Sequence, residues 1–230
     1  MASENPRTSP NMTKKLLPVL LLVLLISGCR QPTETSSSEP WWTDEDRAFI
    51  LSELDRTTDE LRSELASLTA EQWLFKEDST RWSILEIVEH LEMQNQLHYR
   101  EITVTSKAPE QLQYRSITEG QDERFTNYAT DTTSGKASWF LEPRGKYASP
   151  EACENAFYKA REELSKFVEE TKADLRKHVT YRNSVVGRDL NQLTIADVRD
   201  LHQLLLIGIA HTDRHLRQIR QIKTHENYPE

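Results

Sequence analysis

Cysteine is nearly missing from this 230-residue chain, which has only Cys29 and Cys153. A framework of several disulfides is therefore excluded as its source of stability. Glycine is scarce as well, six in all, and aromatic residues make up 8%. A chain so poor in both favours helices over a turn-rich β fold. There is no excess of positive charge: 29 Lys and Arg stand against 37 Asp and Glu, a formal net charge of −8. Phosphate affinity needs a basic patch, so no nucleic-acid partner is expected. No apolar run approaches the roughly 20 residues of a membrane-spanning helix. What remains is the composition of a soluble protein, 37% hydrophobic and 29% charged. The length suits one domain with a sizeable core.

The longest apolar run, Leu16 to Ile26, follows Lys14-Lys15 and is broken only by Pro18. It has the size of a signal-peptide core. It ends in Leu25-Ile26-Ser27-Gly28-Cys29. This resembles the lipobox of bacterial lipoproteins, an aliphatic residue and two small ones before cysteine. The resemblance implies that residues 1–28 are a signal peptide, cleaved before Cys29, with lipid attached to the Cys29 sulfur. The expected location is the cell envelope, anchored to a membrane and facing the periplasm or the outside. Arg30 lacks the aspartate associated with inner-membrane retention. Residues 1–28 carry Arg7, Lys14 and Lys15 against Glu4, so removing that +2 takes the formal charge from −8 to −10. Residues 29–42, rich in Ser, Thr, Pro and Glu, read as a flexible tether. Cys153 then has no intramolecular partner, and in the acidic setting Glu151-Ala152-Cys153-Glu154 it reads as passive.

From 43 to 225 the pattern is helical. Thr43 caps a first helix opening with Asp44, Glu45 and Asp46, and its stripe Phe49, Ile50, Leu54, Leu61, Leu65 and Leu68 carries it to about Leu68. Residues 69–73 form a connector with one short turn. Ser83 and Glu86 have capping-box spacing and start a second helix reaching about Thr105. Residues 108–149 lack a sustained period, and their two aromatic segments, Asp122 to Tyr128 and Ala137 to Phe140, are expected over one end of the fold. Ser149-Pro150 starts a third helix running to about Lys177. Thr194 with Asp197 starts a fourth, ending near Thr224. The fold class is all-α, a four-helix bundle. The long connection between helices two and three allows a departure from up-down order.

Three of the seven histidines stand out. His211 and His215 are four apart, so they project from one helix face about 5–6 Å from each other. That face also carries Leu204, Gly208, Ile219 and Ile222. Two inward imidazoles need a polar partner, and a divalent metal is one. His90, beside the apolar face of the second helix, is the candidate third ligand. His98, two turns further on, is a secondary candidate. His178 is expected at the end of the third helix as an imidazolium, and His202 on the face opposite the fourth-helix stripe. Glu86 has two readings, an outer acceptor for His90 or, more simply, half of the capping box. Thr212 stands where a His-Glu-x-x-His protease needs glutamate, which disfavours proteolysis.

Arg81-Trp82-Ser83-Ile84-Leu85-Glu86-Ile87-Val88-Glu89-His90-Leu91 resembles the second-helix motif of DinB-like proteins, with its Trp-Ser start and His-Leu end. His211-Thr212-Asp213-Arg214-His215-Leu216-Arg217-Gln218-Ile219 resembles that family's terminal-helix motif. The resemblance spans about Thr43 to Thr224. It implies a four-helix bundle of the DinB type holding one divalent metal on His90, His211 and His215. Zinc is the first choice, with nickel, iron and manganese as alternatives. Such a site supports hydrolysis of a small molecule through metal-bound water. The alternatives are transfer of a low-molecular-weight thiol, known in some relatives of the family, or a non-enzymatic metal-binding or interaction lipoprotein. The partners expected are a small-molecule substrate and a membrane through the lipid anchor, with a homodimer allowed.

Overall fold

The computed structural model describes residues 40–127, 137–182 and 185–230. The lipobox, with Cys29, and most of the tether lie outside them, as does Tyr128.

Thr43 caps α1, Asp44–Leu65, through a reciprocal pair with Asp46. Thr69 and Gln72 do the same for α2, Ala70–Leu74, the short turn expected in the connector. Ser83 and Glu86 cap α3, Ile84–Thr105. Each box satisfies orphan amide N–H groups at a helix start. α1 stops one turn short of expectation, and Ser67 adopts a left-handed φ of 63° beyond its end. The segment after α3 carries two short helices, α4, Arg115–Thr118, and α5, Asp122–Thr126. A 3-10 turn follows at Trp139–Leu141.

Ser149 caps α6, Pro150–Glu170, with proline in the first turn. α6 ends about two turns before the expected Lys177. The cause is a distant side chain. Arg47 of α1 donates to the carbonyls of Val168, Glu169 and Thr171, filling the C-terminal acceptors in place of another helical turn. His178 is accordingly not a helix-end imidazolium. It is buried just before β1, Val179–Tyr181, and burial lowers its pKa.

The fourth long helix also departs from expectation. Thr194 and Asp197 do bond to one another, but as an isolated turn whose carboxylate is taken by Arg188. Residues 198–200 form β2, Val198–Asp200, antiparallel to β1 with Val179 opposite Asp200. α7, Leu201–Lys223, therefore starts seven residues late, capped by Asp200 and Gln203.

α1 packs on α6 and α7, and so does α3, which gives a closed ring of four long helices. Their apolar faces build two clusters. One gathers Ile50 and Leu54 of α1, Ile102 of α3, Leu164 and Val168 of α6, and Leu201 to Ile209 of α7. The other gathers Leu61 and Leu65, Ile84 to Leu91, Cys153 and Phe157, and Leu216 to Ile222. Shared clusters give the directions: α1 and α7 run one way, α3 and α6 the other. This is the departure from up-down order that the long α3–α6 connection allows. Between the clusters lie buried polar groups, Thr57, Asn95, Arg161 and Thr212, and Arg161 donates to the Thr212 hydroxyl at 2.8 Å.

The long connection does not cover one end alone. Its first part seals the N-terminus of α7, where Gln203 donates to the Thr118 carbonyl and to Asp122. Its last part, around Leu141, lies beside the N-terminal half of α3. No helix among the described residues is long and apolar enough to cross a membrane.

Candidate metal centre

α3 contributes His90 and α7 contributes His211 and His215, and their side chains converge. One ligand-type nitrogen of each lies within 4.8 Å of the other two. The Nε2 atoms of His90 and His215 stand 2.8 and 3.1 Å from the Nε2 of His211. His90 and His215 are buried, and His211 is partly so.

The outer ring nitrogens decide what the inner ones offer. His90 Nδ1 lies 2.8 Å from the Leu141 carbonyl oxygen. A carbonyl only accepts, so Nδ1 holds the proton and Nε2 presents a lone pair. His215 Nδ1 faces Gln218 Oε1 at 2.9 Å and donates to it, which commits its Nε2 in the same way. Two lone pairs thus aim at one nitrogen of His211. A neutral imidazole has a single proton with which to answer both, whereas a cation can accept from all three. Bonds of 2.0–2.1 Å in tetrahedral array separate ligand nitrogens by about 3.3 Å. The observed spacings need to open by only a few tenths of an ångström, so the donor set fits a metal.

Electrostatics agree. Burial lowers the pKa of His90, with the Leu141 bond opposing. Burial takes His215 to about 3 and holds His211 well below its ordinary value, helped by His215 and His90. All three imidazoles are neutral near pH 7, the protonation state a metal requires. Trp82 closes one side, its ring centroid 4.9 Å from His90 and 6.3 Å from His215, nearly parallel to the latter.

The residues between the α7 histidines hold the helix in place. Thr212 points inward, accepting from Arg161 and donating to the Gly208 carbonyl. Asp213 receives both terminal nitrogens of Arg56 from α1. Thr212 is thus occupied where a zinc protease would need its base.

The other candidates fall elsewhere. His98 is buried outside the cluster, against Gly208, where a Cβ would come within 3.0 Å of its Nδ1. Glu86 serves the cap of α3 and pairs with Lys76, so the outer acceptor of His90 is the Leu141 carbonyl instead. His202 is not on an open face. Trp42 and α5 cover it, and its Nδ1 accepts from the Trp42 indole at 3.1 Å. Cys153 is buried, and burial pushes its thiol up to about 12, with Glu89 and Glu92 adding to the effect, so it is passive as expected. Sequence reasoning missed the roles of Gln218, Leu141 and Glu89. Gln218 lies three residues after His215 and was legible as a same-face neighbour. A main-chain carbonyl 51 residues from His90 has no local signal.

No curated protein and no solved structure matches the chain. The family model described as the DinB superfamily matches residues 53–219. That span starts within α1, runs through α3 and α6 and covers most of α7, and it contains all three converging histidines. The chain belongs to the DinB superfamily, whose members generally bind metal.

Proposed function

We propose that the chain holds one divalent metal on His90, His211 and His215 and hydrolyses a small molecule there. One observation carries the reading: three neutral imidazoles converge, and hydrogen bonds to Leu141 and Gln218 commit two of them to present lone pairs inward. A donor set of three nitrogens with no thiolate suits zinc, while nickel, iron and manganese are competitors. When bound, such a metal supplies Lewis acidity that polarises a carbonyl or phosphoryl group and acidifies water. Leu141 and Gln218 keep the ligands oriented, and Trp82 shields one side of the cluster.

The test is metal content by elemental mass spectrometry, on the domain from Ser37 onward without a histidine tag. It is run beside a His90→Ala/His211→Ala/His215→Ala variant. About one metal per chain, absent from the variant, is expected of a His₃ site. Equal content in both proteins would end the reading. The loaded protein is then offered esters, amides and phosphoesters beside substrates for thiol transfer. Hydrolysis lost in the triple variant supports the hydrolase. Thiol-dependent turnover alone would replace it with a low-molecular-weight thiol transferase, and stoichiometric metal without turnover on any of them would favour a binding role.

The lipobox-like segment carries a second part of the proposal, that lipid on Cys29 anchors the protein to a membrane of the cell envelope. Cys29→Ser should release the protein into the soluble fraction. Unchanged partition of that variant would point to an uncleaved anchor.

A further inference from the structure

Glu89 precedes His90 and is 2% exposed, yet among the described residues no lysine or arginine side chain donates a hydrogen bond to it. Its carboxylate instead takes three successive main-chain N–H groups: Arg144 at 2.7 Å, Gly145 at 3.1 Å and Lys146 at 3.3 Å. Consecutive amides turn toward one anion when a right-handed residue meets a left-handed one. Gly145 has the required φ of 67°. The same segment begins with the Leu141 carbonyl that accepts from His90 Nδ1. Two adjacent residues of α3 therefore grip one segment at both ends, Glu89 as acceptor and His90 as donor. Glu92, one turn on and also buried, holds the Lys146 ammonium at 3.2 Å.

We infer that Glu89 is a positioning residue for the metal centre: by anchoring residues 144–146 it holds the Leu141 carbonyl against His90, and so fixes the ring and proton that leave Nε2 free to ligate. This rests on the His₃ reading. His90 takes its outer partner from a connecting segment, and without an anchor that carbonyl has no reason to stay within reach. His215, by contrast, takes its partner from its own helix. Outer-shell partners of this kind affect metal affinity by about 10- to 100-fold.

The experiment uses the full chain purified in detergent. Zinc affinity is measured by competition with a chromophoric chelator, and cobalt(II) reports ligand geometry through its visible spectrum. Glu89→Gln keeps the volume but turns a donor toward the amides. It should weaken zinc about 10- to 100-fold and change the cobalt bands. The discriminating step is a double-mutant cycle. In a His90→Ala background, where His211 and His215 still give a weaker site, Glu89→Gln should cost little more. A side chain that only supported the fold would cost the same in both backgrounds, and that result would overturn the inference. Unchanged affinity and spectrum in Glu89→Gln would also overturn it. If that variant does not fold, Glu89→Asp is put through the same cycle, and failure of both to fold assigns Glu89 to the fold and overturns the inference. An unsubstituted chain that takes up neither zinc nor cobalt removes the metal reading along with it. An unsubstituted chain that binds both, with a Glu89→Gln variant that binds identically, removes this inference alone.

Discussion

The molecule buries histidine at two places on α7, and the two surroundings are chemically opposite. Around His211 and His215 the rings face other rings, each of the three lying within 5.1 Å of the other two, centroid to centroid. Around His202, about three turns earlier on the helix, the ring faces carboxylates: Asp46 at 3.9 Å and Asp122 at 3.7 Å from Nε2. Arg176 binds both of those at 2.8 Å and lies 3.8 Å from Asp200. Trp42 donates to the remaining ring nitrogen of His202. So His202 accepts through Nδ1, carries its proton on Nε2, and has that proton directed at the acids. The two sites share burial and imidazole. They differ in what the second nitrogen meets, and that decides whether lone pairs converge or are already served.

The sharpest break of this comparison is metal content. His211→Ala should lose most bound metal, whereas His202→Ala should keep about one ion per chain, as an intact His₃ site requires. Elemental mass spectrometry on both variants checks it, and metal lost equally from both would erase the distinction. Stability should show the reverse. Arg176→Met leaves Asp46, Asp122 and Asp200 without their shared cation; only Asp200 is fully buried, so the cost is about 2 kcal/mol, below that of breaking a fully buried pair. Urea denaturation should register that loss while metal content stays unchanged. An Arg176 variant with wild-type stability would mean that solvent already screens the cluster.

Much of this was legible because its causes are local. Thr43, Ser83 and Ser149 cap helices through residues three positions away, so the starts of α1, α3 and α6 could be read directly. The His211–His215 pair follows from helical spacing, and His90 from its motif and apolar face. The departures are tertiary. α6 ends where Arg47, more than 120 residues away, reaches its carbonyls. α7 starts late because residues 198–200 pair with residues 179–181. His202 falls opposite the fourth-helix stripe, yet residues 201–206 are buried all round, and a helical wheel cannot show that α5 and Trp42 cover that second face. At the candidate metal centre the three histidines were legible and the Leu141 carbonyl was not.

A finer test uses acid. Burial takes His202 to about 4, with Arg176 adding to the effect and the two aspartates opposing it. Unfolded, the ring titrates near 6.5, so below that pH the unfolded chain binds a proton that the folded one refuses. Its contribution is fully present above about 6.5 and is lost as pH falls toward about 4, amounting to roughly 2–3 kcal/mol. His202→Asn offers Trp42 a similar acceptor and does not titrate. On metal-free protein, its stability curve should therefore approach that of the wild type between pH 6.5 and 4. Parallel curves by urea midpoint would mean that His202 is charged when folded.

The smallest effect concerns Trp42 itself. Its indole N–H favours the neutral ring, because an Nδ1 that accepts cannot hold a proton. Trp42→Phe removes that donor and leaves a buried acceptor unserved, at a cost of about 1 kcal/mol near neutral pH. The same change frees Nδ1 to protonate, and Asp46 and Asp122 already stand within 4 Å of the opposite nitrogen to receive the charge. The penalty should therefore shrink at pH 4.5, while bound metal is unaffected. If the penalty instead grows in acid, the carboxylates do not stabilise an imidazolium there, and the two histidine sites differ less than their partners imply.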